Sequence, residues 1–294
     1  MKPSSRQQNG NRGDVVTGRP NPFIAQTLQQ AAMALRAKQF DQAKLLASEI
    51  LKSNRTDRNA VLILAHALLG QDHADEAIAP LERAARRTND AEIETLLGAA
   101  LCGARRQADG IAQLRRTAAR RPPYLPAFQE LAGQLAKAGR LDEAITTIEE
   151  GLTLAPDSID LTIDLGRLCI QSNSNDRAKA RAALMRARDA APGRPDILTE
   201  LGRILILDGD YASAAEAYRH ALALRPDDML SRANLATCLL EMGDRDRGEA
   251  ALRAILRGRP QMLGRVAFAL ATASHGRFFF RPSTAAKFLE RDQI

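Results

Sequence analysis

Apolar and small residues recur along this chain with a period near 34. Leu64, Leu97, Leu131, Leu165, Leu201 and Leu235 stand 33 to 36 residues apart, and Gln30 holds the corresponding place upstream. Units counted from Ile24, Arg58, Ala91, Leu125, Ile159, Pro195 and Met229 carry Ala or Gly at the eighth position: Ala31, Ala65, Gly98, Ala132, Gly166, Gly202 and Ala236. The twentieth position is equally restricted, to Ala43, Ala77, Gly110, Ala144, Ala180, Ala214 and Gly248. A small residue twice per unit, across a turn, lets two antiparallel helices approach toward the close end of the ~8–10 Å range. Each unit is therefore predicted to be a helical hairpin. Leu68, Leu101, Leu135, Leu205 and Leu239 at the eleventh position are predicted to fill the space between hairpins. Pro122, Pro156, Pro192, Pro226 and Pro260 lack an N–H donor and stop the second helix of the last five units. Turns such as KAGRLDEA (137–144) and LDGDYASA (207–214) place Gly at the end of the first helix and Asp or Ser near the start of the second.

The segment LTELGRILILDGDYASAAEAYRHALALRPDD (198–228) joins these signals in one place: Leu201, Gly202, Gly209, Tyr211, Ala214, Tyr218, Ala221 and Pro226. It resembles the tetratricopeptide repeat family, and the resemblance extends over residues 24–262. Unit one departs with Gln30 and Arg55 where Leu and Pro are usual, and unit five with a two-residue insertion in its turn, near 172–176. The resemblance implies an all-α, right-handed α-solenoid of helix-turn-helix repeats. Seven repeats are expected, at 24–57, 58–90, 91–124, 125–158, 159–194, 195–228 and 229–262. First helices then line an inner groove that holds a peptide or helix of another protein. On that geometry the second, fifth, ninth, twelfth and thirteenth positions face the groove. Arg167 and Arg203 stack at the ninth positions, with Gln171 and Thr199 near them and Ile163, Ile170, Ile206 and Leu207 around them. Two stacked guanidiniums suit a bidentate grip on a partner's carboxylate. The alternative is that the aliphatic residues pack first helix on first helix while the arginines pair with Asp160, Asp164 or Asp196. Gln129, Ile163 and Thr199 stand where the carboxylate-clamp subset of the family uses Lys, so binding of a chaperone tail is not expected.

Two flanks lie outside the repeats. Residues 1–22 are rich in Ser, Gln, Asn, Gly, Arg and Pro, and disorder is expected there. Residues 263–294 are expected to form a C-terminal capping helix, LGRVAFALATASH, followed by a Phe-rich tail in which Ser283 caps a short helix over 284–291. Phe278, Phe279 and Phe280 in that tail either complete the cap or dock on a partner. The start of the chain lacks the apolar core of a secretory signal. The longest apolar stretch, at 60–70, is broken by His66 and falls short of the roughly 20 residues a bilayer span needs. A cytoplasmic location without a membrane span is the expectation.

Candidate chemistry is sparse. Cys102, Cys169 and Cys238 form no C-x-x-C pair and sit among apolar neighbours, and the four histidines have no ligand spacing, so no metal and no cofactor is expected. No phosphate-binding glycine loop and no nucleophile elbow occurs. The chain is expected to be a non-catalytic scaffold or adaptor for a protein partner; a repeat portion serving a separate transferase is one alternative. The other comes from charge. Lys and Arg total 42 against 35 acids, and the excess is nearly all Arg. Arg105, Arg106, Arg115, Arg116, Arg120 and Arg121 form a basic face on units two and three that suits nucleic acid or an acidic partner. Tyr124 is the lone aromatic beside it and the chain has no Trp, which argues against base stacking and against nucleic acid. Helix-dipole compensation and a GC-rich coding bias explain the same arginines.

Overall fold

A computed structural model describes residues 22–172, 177–257, 259–277 and 281–290. The first 21 residues, most of the insertion near 172–176, and Phe278, Phe279 and Phe280 lie outside them. Among the described residues there are sixteen α-helices, one 3-10 turn and no strand. None of these helices is long and apolar enough to cross a membrane.

The chain divides into two compact units, residues 1–110 and 111–294. In the first, α1 (Pro22–Arg36) packs with α2 (Phe40–Ser53), α3 (Arg58–Gly70) with α4 (Ala74–Ala85), and α5 (Ala91–Gly103) leads into the first turn of α6 (Gln107–Ala118). The second unit takes the rest of α6 and four helix pairs: α7 (Leu125–Lys137) with α8 (Leu141–Leu154), α9 (Ile159–Ser172) with α10 (Arg177–Ala190), α11 (Pro195–Leu207) with α12 (Tyr211–Leu224), and α13 (Met229–Glu241) with α14 (Arg245–Leu256). First helices touch first helices, α1 to α3 to α5 in one unit and α7 to α9 to α11 to α13 in the other. Within each unit this is the stacking of an all-α solenoid.

The packing follows from residue size. Ala31, Ala43, Ala77, Ala144, Ala180 and Ala214 are completely buried at the two small positions. At Gly110 even a methyl group is excluded: a Cβ there would lie 2.4 Å from Cys102 Sγ and 2.7 Å from the Gly98 carbonyl oxygen. The helix ends are set by local chemistry. Asp57, Asp90 and Asp228 cap α3, α5 and α13 by accepting from backbone N–H groups, and Asp210 and Asp244 do the same for α12 and α14. Second helices α8, α10 and α12 end two residues before Pro156, Pro192 and Pro226. Pro80 behaves differently: it lies inside α4 and removes one backbone bond there.

Between paired helices the backbone turns through the left-handed region at the fifteenth position of six units. Gly139, Gly209 and Gly243 adopt it at φ near +80°, but Lys38, Asp72 and Arg105 hold the same place with φ of 57°, 60° and 62°. A side chain there costs roughly 1–2 kcal/mol, partly offset by the entropy a glycine loses on folding. Arg105→Gly is therefore expected to stabilise the protein by about 0.5–1 kcal/mol, read as a higher urea midpoint with an unchanged slope. A lower midpoint would mean that the Arg105 side chain contributes contacts worth more than the strain.

At the C-terminal end α15 (Leu263–Thr272) packs on α13 and α14, and α16 (Pro282–Glu290) packs on α14 and α15. The short helix that follows α15 thus packs back on it. Leu270 and Leu289 are buried with Leu240 and Leu252 in one apolar cluster. The guanidiniums of Arg253 and Arg277 lie over the Phe288 ring, 4.9 and 4.8 Å from its centre. Arg277 in turn donates to the buried Glu249 at 2.6 Å. Helix α16 begins at Pro282, which suits the first position of a helix because its missing N–H has no partner to lose. Ser283 therefore lies inside the first turn and is not the cap.

Candidate functional site

The arginines singled out in the sequence lie on neighbouring first helices of the second unit, and one buried acid joins them. Arg167 on α9 donates from Nε to Glu200 Oε1 at 2.9 Å, and Arg203 on α11 donates to Glu200 Oε2 at 3.0 Å. Glu200 is only 5% exposed, whereas the Arg167 and Arg203 side chains are 49% and 39% exposed. The carboxylate therefore holds both guanidiniums from below and leaves their outer edges on the surface. Asp164 continues the row. It accepts from Arg167 at 3.4 Å and from Gln129 on α7 at 2.5 Å. Burial raises the Asp164 carboxyl above the usual carboxylate range, against the opposing pull of these two donors.

Of the acids weighed as partners for these arginines, Asp164 is one, while Asp160 and Asp196 bond instead to Arg194, at 2.9 and 2.5 Å. Glu200 escaped notice because it stands at a sixth position, not at a groove position. The signal was present: Arg167 and Glu200 are 33 residues apart, the 36 residues between the starts of units five and six less the three from the ninth position back to the sixth, which places them on facing turns of adjacent first helices.

The apolar residues of the expected groove divide. Leu207 is 43% exposed, Ile170 and Ile206 are half-buried, and Gln171 is exposed. Ile163 is buried and carries no surface for a partner, which corrects its place among the groove residues. It lies on α9, which packs against both α7 and α11. Thr199 is half-buried and committed within the chain: its hydroxyl donates to the Pro195 carbonyl at 2.9 Å and lies 3.2 Å from Ser231 Oγ on α13. Leu62 and Leu240, further along the expected groove, are buried too.

The six arginines of the basic face are distributed over the two units, Arg105 and Arg106 in the first and the other four in the second. Arg105 is a turn residue, Arg106 pairs with Asp109 at 2.8 Å, and Arg115 pairs with Glu143 at 2.7 Å. Arg116 donates to Gln113 at 2.6 Å, Arg121 to the carbonyls of Ala119 and Arg120, and Arg120 is half-buried. Tyr124, the aromatic nearest in sequence, is the N-cap residue of α7. The three cysteines are buried, and burial pushes the Cys238 thiol up to about 12. Among the described residues no three His, Cys, Asp or Glu side chains converge on a common point.

The stretch that holds this arginine row is also the stretch that carries a family signature. The tetratricopeptide repeat family matches residues 135–204 and 205–271. Residues 135–271 are tetratricopeptide repeats. Similar solved structures of tetratricopeptide repeat chains include the C-terminal part of a repeat-containing protein from Cytophaga hutchinsonii, with a TM-score of 0.57 at 14% identity over 83% of this chain and 99% of that one. The APC/C hetero-tetramer Cut9-Hcn1 aligns with a TM-score of 0.55 at 16% identity over 91% of this chain and 53% of its own. MamA aligns with a TM-score of 0.50 at 17% identity over 57% of this chain and 97% of its own. At these identities the likeness is one of fold. No curated protein sequence matches the chain.

Proposed function

We propose that this chain is a non-catalytic scaffold that holds a segment of a partner protein along α9 and α11. The observation that carries the reading is the arrangement of Arg167 and Arg203 on Glu200. A guanidinium fixed by a buried acid has already lost its rotamer freedom, so its remaining N–H donors meet a partner at reduced entropic cost. Exposed Leu207 and Gln171 and half-buried Ile170 and Ile206 supply apolar and hydrogen-bonding contact on either side. The local charge is balanced by Glu200 and Asp164, so the site favours directional hydrogen bonds, to a carboxylate or to backbone carbonyls, over bulk attraction to anions.

The test exploits the difference between the two basic side chains. Lysine keeps a cation over Glu200 but lacks the planar fork. The double variant Arg167→Lys/Arg203→Lys is expected to melt close to the parent and to lose partner capture by about tenfold or more, the scale of a lost charge-assisted hydrogen bond or two. Capture is measured with the full chain as bait, with and without nuclease. Unchanged capture by the lysine variant would remove the arginine row from the site, and capture that vanishes with nuclease would move the function to the basic face.

A further inference from the structure

A second recess in the tetratricopeptide repeat array shares no residue with the arginine row. It is a pocket of about 250 Å³ at the start of α13 and α15. Met229 and Leu230 form one wall, Val266 the other, and Leu252 and Ile255 of α14 lie between them. Leu230 remains 59% exposed, an uncovered leucine at the mouth of an apolar hole. The backbone gives it no choice: Asp228 accepts from the Leu230 and Ser231 N–H groups, at 3.0 and 3.2 Å, and this cap turns Ser231 inward and Leu230 outward.

The charged side chains in the pocket's lining and at its edge are arginines. Arg265 is the one charged side chain in the lining. Arg259 places its guanidinium against Met229 Sδ, at the pocket's edge, and Arg232 lies one helical turn along from Met229 and donates to the Pro226 carbonyl. Among the described residues none of these three arginines is in an ion pair with an acid. Of the acids close in sequence, Asp228 is spent on the cap and on Ser231 Oγ, at 2.7 Å, and Asp227 is exposed in the same turn. An apolar recess beside basic side chains is the anatomy of a side-chain anchor site.

We propose that this pocket takes one apolar side chain of an acidic peptide segment, with the flanking carboxylates on Arg265, Arg232 and Arg259. A second copy of the chain is a poor occupant, because a two-fold contact would bring the same three arginines against themselves. Nucleic acid is a poor occupant as well, since the lining offers no aromatic face for a base.

The probe is the fluorescein-labelled heptapeptide Asp-Asp-Glu-Leu-Phe-Asp-Asp, titrated by the full chain and followed by anisotropy at physiological salt. Its partner probe replaces the central pair with Ala-Ala. We expect micromolar binding of the first probe. Binding should be weaker by about tenfold or more for the second probe, for Arg265→Glu and for Leu230→Asp, and Arg167→Lys/Arg203→Lys should keep the tenfold difference between the two probes. Both single variants alter exposed side chains, and circular dichroism melting checks that each remains folded. Equal binding of the two probes, no binding of the first, or indifference to Arg265→Glu overturns the proposal. So does a concentration-dependent dimer, lost in Leu230→Asp, without peptide binding; that result assigns the pocket to a second copy. Because the lysine double variant leaves this pocket intact, failure here and failure of the arginine row are told apart.

Discussion

Replacing Gly110 with valine is expected to destabilise the protein by more than about 3 kcal/mol, the largest single-site effect among those considered. The site has no slack. Its Cβ would meet Cys102 Sγ at 2.4 Å, the Gly98 carbonyl oxygen at 2.7 Å and the Cys102 amide nitrogen at 2.9 Å. Two of these three atoms are α5 backbone, at Gly98 and Cys102, so moving the Cys102 side chain does not clear the site. Unit three is the unit that pairs a Gly at the eighth position with a Gly at the twentieth, and its helices use the room that both leave. The control is Gly133 on α7, where a Cβ meets nothing within 4 Å. Gly133→Ala relieves an exposed helix interior of glycine and is expected to stabilise by about 0.8–1 kcal/mol. Urea unfolding of the two variants tests the contrast. Equal midpoints would show that α5 and the first turn of α6 can separate freely, and the close-approach argument would fail.

Reversing the charge of Arg167 and Arg203 together is expected to cost about 3 kcal/mol of stability in addition to partner capture. The carboxylate of Glu200 is buried with these two guanidiniums as its cations. After Arg167→Glu/Arg203→Glu it would face two added carboxylates and Asp164, with no compensating charge. The figure sits at the low end of the range for a broken buried pair because both arginine side chains are more than a third exposed and solvent screens part of the repulsion. Adding Glu200→Gln to the reversal should restore most of the lost stability and none of the capture. A reversal that leaves the urea midpoint untouched would mean that Glu200 does not depend on its arginines. The reversal is therefore a poor probe of binding, and the lysine pair is the better one.

The hairpins were legible in the sequence because they depend on contacts inside one unit of the repeat, where size alone decides. Ala or Gly at the eighth and twentieth positions leaves no alternative to close helix pairing. That Arg167 and Arg203 lie on adjacent first helices was legible for a related reason, since equal positions in adjacent units stand side by side. What governs those arginines was not. Glu200 lies off the groove positions, and finding it requires pairing unlike positions of successive units, here the ninth with the sixth. Ile163 failed differently. Its fifth position predicts exposure on an isolated hairpin, but the stacking of first helix on first helix covers it, as it covers Leu62 and Thr95 at the same position. How α16 packs on α15 was not legible because α16 follows no repeat and its docking rests on Phe288, Arg253, Arg277 and Glu249, four residues with no periodic signal.

The side-chain bonds that tie one hairpin to the next have a shared reach in sequence. Gln129 to Asp164 spans 35 residues, Arg167 to Glu200 spans 33, and Arg194 to Asp160 spans 34. Such contacts close short loops, so the search for native structure is local and fast. Opening is local as well. Hydrogen exchange should follow a gradient within the second unit, slowest on α9 and α11, which have neighbours before and after them, and faster toward the chain's end, where α16 is held by few partners. A hairpin gained or lost between such neighbours disturbs only the bonds one repeat away, which gives this architecture a tolerance of changes in length that a fold built on distant contacts lacks.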